Sequence, residues 1–376
     1  METTTRWISG PTETTAEKVD FDPSRLTRLE EIFSGLLDTG KVQCASSSLS
    51  RAGKVFASRS IGPRQEGGSQ PMRHDSWRRI ASVTKALTTL GILKLVEDGR
   101  VFLEFPVSHV LPEFDTPTHK SITIRQLLTH SSGLPADPGY HLEPNADHAG
   151  FWTILYGSGW LERVAELPLA HRPDEMWCYC SIGFAVLGEV IARTVGEPYS
   201  VWMEREILEP AGLRDTFFDT TGRDIDNFCL TTDQDRQSVL KRSEVLHHSR
   251  CALGFAFSTC PDLVRLGNLF LQGGTLDGRR VVGRKTIEAI CRTHIEAPAP
   301  HWGDHFPDWQ YGLGLEPARH PLIRTGTVWG HEGSGRCAWW LVPEENLVAA
   351  WTLPTTLDWD PDFCWSPRAV VLSGLR

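Results

Sequence analysis

The chain has no uninterrupted apolar run near the roughly 18 residues that a membrane helix needs, so a membrane-spanning role is not expected. Its opening residues, METTTRWISGPTETT, carry neither a basic leading region nor an apolar stretch; no secretory leader is read there, and a cytoplasmic protein is expected. Basic residues are the minority: 38 Lys and Arg against 47 Asp and Glu leave a net charge of -9, which argues against nucleic acid or an anionic membrane as partner. Nine cysteines are an odd number without a spacing framework, so reduced thiols are expected. Cys178 and Cys180 form a Cys-x-Cys with no second pair, and His301 and His305 lie among Pro and Gly, which suit no rigid helical site; no metal and no organic cofactor is expected. Gly-x-Ser-x-Gly is absent, which sets aside an α/β-hydrolase. His331 and Glu332 lack the histidine at the fifth position that a zincin helix needs.

What is there is the material of an ordinary globular protein. The 376 residues are 40% hydrophobic and 23% charged, long enough for a large core and two lobes. The chain is organised around Trp77 to Gly99, WRRIASVTKALTTLGILKLVEDG. Ser76 to Ala81 reads as a short strand; Val83, Ala86, Leu87, Leu90 and Leu93 then form the apolar face of a helix ended by Gly99. Ser82 is the candidate nucleophile. Lys85 follows it by three residues, on the same helix face, where its amine reaches the Ser82 hydroxyl. A serine needs an adjacent base, and burial together with the positive end of a helix lowers the proton affinity of a lysine. The Ser82 backbone N–H at that helix start is a candidate oxyanion donor. A second Ser-x-x-Lys, Ser238 to Lys241, stands in a polar stretch without such a junction and is read as chance.

Elsewhere the pattern is of alternating elements. Asp22 and Pro23 cap and start an amphipathic helix ended by Gly40; Val42 to Leu49 and Val55 to Ile61 read as strands of a hairpin joined near Ala52 and Gly53. Ser121 to Thr129 reads as a short helix before a turn, in which His130 is read as structural rather than as a base. Phe151, Trp152, Tyr156 and Trp160 either line a pocket or pack a core. Tyr179 precedes a helix with the face Phe184, Leu187, Ile191 and Val195, whose N-terminus favours a polarised phenol. Arg214 to His248 reads as a surface excursion, Ser258 and Thr259 start a helix with the face Leu263, Leu266, Leu269 and Phe270, and Ala297 to Pro307 reads as a loop. Trp329 to Leu353 reads as two strands joined at Pro343 to Asn346, with His331, Glu332 and Gly333 at the entry and glycine allowing close approach.

In order and spacing, Ser82-Val83-Thr84-Lys85, Tyr179-Cys180-Ser181 and His331-Glu332-Gly333 resemble the motifs of the class C β-lactamase and penicillin-binding superfamily. ITIRQLLTHSSGLP at Ile122 to Pro135, the run ending at Tyr199, and LEPAGLRDTFF at Leu208 to Phe218 look like the same family, over roughly Leu26 to Leu353. The resemblance implies an α/β (α+β) fold with an antiparallel sheet flanked by helices. It divides the chain into a discontinuous α/β lobe, 1–85 and 226–376, and a mostly helical lobe, 86–225, with the site in the cleft between. It implies that Ser82 is acylated, that Lys85 and Tyr179 share the proton transfers, and that the N–H groups of Ser82 and Ser334 form the oxyanion hole. Substrate would lie against His331, Gly333 and Ser181, with Trp152 and Trp160 as candidate pocket walls.

Two departures bear on the substrate. Ser181 replaces an asparagine that reads an acylamide in β-lactamases, and His331 replaces a lysine that helps hold a carboxylate. The chain is therefore similar to the branch of family VIII carboxylesterases and lovastatin-type acyltransferases, which implies ester hydrolysis or transesterification in secondary metabolism. The expected partner is a small, apolar ester or thioester, with an acyl carrier as a possible donor. A D-amino-acid peptidase or amidase, or a catalytically silent scaffold of the same fold, are the alternatives.

Overall fold

The computed structural model describes residues 6–140, 151–240, 249–301, 304–323, 326–357 and 360–376. Alternating side chains in the first and last strands build one antiparallel sheet of seven strands. Numbering only this sheet, the strands are β1 (Ile8–Ser9), β2 (Ala45–Arg51), β3 (Lys54–Ile61), β4 (Glu316–Ala318), β5 (Val328–Gly333), β6 (Cys337–Val342) and β7 (Leu347–Thr352). Their spatial order is β1-β3-β2-β7-β6-β5-β4. Ala52 and Gly53, both at positive φ (51° and 77°), make the tight β2–β3 turn. β2 pairs with β7 from Thr352 opposite Ser46 to Leu347 opposite Arg51, so strands from both ends of the chain share the sheet.

The period of two sorts β6 between two cores. Ala338, Trp340 and Val342 pack with Phe33 and Leu36 of helix α1 (Pro23–Asp38) and with Phe363 and Val371 of the C-terminal helix Pro361–Leu372. Cys337, Trp339 and Leu341 face the other way, into the core that also holds the helices α2 (Thr84–Glu97), α3 (Ser181–Val195) and α4 (Cys260–Leu271). Two buried tryptophans hand their indole N–H to a helix carbonyl, Trp339 to Leu263 and Trp351 to Phe363, both at 2.8 Å. α4 lies close on the sheet because Gly267 faces Val348, where a Cβ would collide. α2 is buried on nearly all sides, so Lys85 in its first turn points into protein, not water.

Four sequence expectations change. The strand before Ser82 shrinks to Arg78–Arg79, paired with Phe257–Ser258, because the chain turns at Ala81. Trp329 to Leu353 contributes three strands, since Ser334 to Arg336 is a turn and Gly335 and Arg336 take positive φ. Ala297 to Pro307 is no loop: Ile295–His301 and Asp304–Tyr311 pair as a separate hairpin, tolerating its prolines on edge positions with a register shift between Ala297 and Ala299. The stretch after Arg214 is not all surface, for Phe217, Phe228 and Leu230 are buried with Phe257. Among the described residues, no helix is long and apolar enough to cross a membrane.

Candidate active site

The site is built where three segments meet. Ala81 to Val83 form a single 3-10 turn before α2. Ala81 takes φ 46°, a left-handed conformation that costs an L-residue on the order of 1–2 kcal/mol and here sharply turns the chain at the nucleophile position. Ser82 is half-buried and Lys85, one turn on, is fully buried. The Lys85 amine donates to Ser82 Oγ at 3.2 Å, to Ser181 Oγ at 3.1 Å and to the Leu253 carbonyl at 2.7 Å. It also lies 4.9 Å from the centroid of the Tyr179 ring. Burial pulls its pKa from 10.5 down to about 8, with Asp137 and Cys180 opposing that fall.

The second segment ends at α3. Tyr179 is buried just before it, and its hydroxyl lies 3.5 Å from His331 Nε2. Burial pushes the phenol well above its usual range, while a hydrogen bond with Ser82 works the other way. His130 packs against the Tyr179 ring at 4.4 Å, and its Nδ1 accepts the Cys180 N–H at 3.0 Å. His130 thus fixes the approach to α3, and burial keeps it neutral. Ser181 is held by Asp137, which accepts its N–H at 2.7 Å and its O–H at 2.6 Å.

The third segment is the outer half of β5. β4 pairs with Val328 to Gly330 only, so it does not cover the edge of His331 to Gly333. A Cβ on Gly333 would come 2.5 Å from the Ile80 carbonyl, so glycine lets this strand touch the nucleophile turn. His331 Nδ1 lies 2.6 Å from the Glu332 carbonyl, and this contact places the ring proton on Nδ1 and leaves Nε2 to accept from Tyr179. Burial lowers the pKa of His331 to about 3, with the nearby Lys85 charge adding to the fall; the ring is neutral at physiological pH.

Ser82, Lys85, Tyr179, Ser181, His331 and Gly333 therefore come together from positions up to 251 residues apart. Ser334 stands in the exposed turn that follows Gly333. Trp160 is not brought to them; it is buried in the helical core, with the Arg250 guanidinium 5.9 Å from its ring. Trp152 is 40% exposed and packs on Phe151. Sequence reasoning passed over Asp137 and the Leu253 carbonyl. No local pattern marks either, although an acid between Pro135 and Pro138 after a short helix invites the question of what it faces. The side chains of His301 and Ser238, and Lys241 altogether, lie outside the described residues. Two surface depressions, one lined by Lys18, Arg51 and Glu345 and one by Glu97, Arg280 and Thr286, include none of the clustered side chains.

An amine of lowered proton affinity against a serine hydroxyl, beside a phenol that reaches both the serine and a neutral imidazole, can accept and return a proton around an attacked carbonyl. Comparison with known proteins bears on the family and the fold. The Beta-lactamase family model matches residues 29–364. A Mycobacterium tuberculosis protein is 29% identical over 335 residues, covering 80% of this chain and 81% of its own. Esterase EstB of Burkholderia gladioli is 33% identical over 208 residues, 52% of each chain, so that match spans about half of either protein. Among solved structures, EstCE1, described as a hydrolase with promiscuous acyltransferase activity, superposes with a TM-score of 0.76 at 19% identity, over 93% of this chain and 98% of its own.

Proposed function

The chain belongs to the beta-lactamase family, and on that premise we propose that it is a serine ester hydrolase or transesterase working through an acyl-enzyme on Ser82. The observation that carries this reading is the buried Lys85 amine, 3.2 Å from Ser82 Oγ with its pKa lowered to about 8. Ser82 Oγ attacks the ester or thioester carbonyl, and its proton passes to neutral Lys85, directly or through Tyr179. The N–H groups of Ser82 and Ser334 take the developing oxyanion. Tyr179, backed by His331 Nε2, returns a proton to the leaving alcohol or thiol. Water or an alcohol then attacks the acyl-enzyme with the same groups in reverse.

The substrate class follows from what the second and third segments do not offer. The Ser181 hydroxyl donates to Asp137, so it is not free to read an acylamide, and neutral His331 brings no cation for a carboxylate. Both favour a small uncharged ester or thioester over a β-lactam or a peptide, in keeping with the esterase EstB among the relatives. We extend the proposal to an acyl carrier as an alternative donor, to a place in secondary metabolism, to a cytoplasmic setting, and to the lobes 1–85 with 226–376 and 86–225 as the walls of the cleft.

Intact-protein mass spectrometry during turnover of p-nitrophenyl esters and an acyl thioester, with and without alcohols, tests the reading. The expected result is an acyl adduct on wild type that is absent from Ser82→Ala, with turnover lowered about 10^4-fold. Partition to alcohol over water marks a transesterase. Ser82-dependent turnover of D-amino-acid amides but not esters moves the protein to the peptidase reading, and no adduct with either class leaves the silent scaffold.

A further inference from the structure

Asp137 is an acid that the acyl-transfer steps above do not use. It lies in the loop after the helix Ile124–Leu128, is 8% exposed, and its own N–H donates to the Tyr179 carbonyl at 2.7 Å. Its carboxylate accepts both donors of Ser181, N–H at 2.7 Å and O–H at 2.6 Å. Because the Ser181 proton points at Asp137, the oxygen of that hydroxyl is turned to Lys85, whose amine donates to it at 3.1 Å. The order of donors is therefore fixed: amine to hydroxyl to carboxylate.

We infer that Asp137 is the counter-charge of Lys85, a positioning residue acting through the Ser181 hydroxyl to set the protonation state in which Lys85 meets Ser82. This rests on the acyl-enzyme reading for its consequence, though not for the pairing. A buried carboxylate without a cation is costly, and so is a buried ammonium without an anion. The groups facing Lys85 are Ser82 of its own turn, Tyr179, Cys180, Ser181 and Phe184 at the start of α3, His130, His331 of β5, and the Leu253 carbonyl. Burial keeps both histidines neutral and both the phenol and the thiol protonated. Among the described residues this leaves Asp137 as the charge that answers the ammonium; burial pushes its carboxyl up, and the Lys85 charge and the two Ser181 donors pull it back. Desolvation drives the Lys85 proton off and Asp137 holds it on, so the balance falls where a base is useful near neutral pH. The same commitment of Ser181 removes the donor an acylamide substrate would need.

The test reads Lys85 itself. In the full chain labelled with 13C at lysine Cε, the Lys85 resonance is assigned by its loss in Lys85→Met and titrated by NMR in wild type, Asp137→Asn and Ser181→Ala. Asp137→Asn keeps the size and one of the two acceptors for Ser181 and removes the charge; Ser181→Ala controls for the lost hydroxyl contact. The expected result is a Lys85 midpoint lower by about one unit in Asp137→Asn, a tenfold weaker hold on the proton, with a smaller fall in Ser181→Ala. The acid limb of fluorophosphonate labelling at Ser82 should move to lower pH by the same step. An unmoved midpoint in folded Asp137→Asn overturns the inference; should that variant fail to fold, an unmoved midpoint in Ser181→Ala does so. A lowered midpoint in a protein that is never labelled at Ser82 supports the pairing and refutes the acyl-enzyme.

Discussion

Two helices that start at the site and four that start elsewhere are held at their first turn in different ways. α1, α4 and the helices Ile124–Leu128 and Pro361–Leu372 each carry a side-chain cap of their own: Asp22, Thr259, Thr123 and Asp360 accept an N–H from the first turn. α2 and α3 have no such cap; Val83 and Cys180 stand in the capping position and make no side-chain bond. Their starts are held by distant partners, α3 by Asp137 through the Ser181 N–H and α2 by the bond of Thr84 Oγ1 with the Ala256 N–H. A local cap contributes about 1 kcal/mol wherever it occurs. The two site-bearing starts forgo it and are held by residues far off in the chain, which ties the site to tertiary packing.

Substitutions can break this contrast, beginning at the site. Lys85→Met should lower turnover of the best ester by about 10^3-fold or more, measured as kcat/KM. In wild type the rate should climb through about pH 8 as Lys85 loses its proton. The linked effect on stability has the same direction. Because the folded pKa lies below 10.5, the unfolded chain binds more protons between about pH 8 and 10.5, so the cost of burying the ammonium, full below pH 8, is relieved as pH rises across that window. Urea unfolding from pH 7.5 to 10 should show that rise in wild type and lose it in Lys85→Met. Tyr179→Phe keeps the ring contacts with His130 and Tyr140 and removes only the hydroxyl. It should cost about 10^2-fold in kcat with an unchanged unfolding midpoint; a fall in stability without a fall in kcat would assign Tyr179 to packing alone. Smallest is Thr259→Ala, away from the site, which should lower stability by about 1 kcal/mol and leave the rate of Ser82 labelling alone.

The same contrast explains what could be read in advance. The locally capped helices announce themselves: Asp22 with Pro23, and Thr259 with Pro261, are signals within a few residues, and the observed helices begin there. The β2–β3 hairpin was legible for the same reason, since its turn residues sit between two alternating runs. Ile295 to Tyr311 was not, because three prolines mask a hairpin whose pairing tolerates them only at edge positions and a register shift. In the site, Ser82 and Lys85 are one turn apart and could be paired from their spacing together with the helix start on which they stand. Tyr179 and His331 stood out by their motifs, and their mutual contact at 3.5 Å could not be seen. Trp160 shows the limit for aromatics, for a ring near others in sequence went to the helical core.

The sequence by itself determined the locally capped helices, the β2–β3 hairpin, the presence of a Ser-x-x-Lys at a helix start, and the three motifs that resemble a known superfamily, because each depends on residues within about one turn or one strand. Only the tertiary structure decided that Asp137 joins Ser181 to Lys85, that His331 is neutral and turned toward Tyr179, and that Gly333 touches the nucleophile turn. Those are facts of burial and direction. Proton affinities and hydrogen-bond directions respond to whatever is packed within a few ångströms, and the packing brings together residues that the chain keeps far apart.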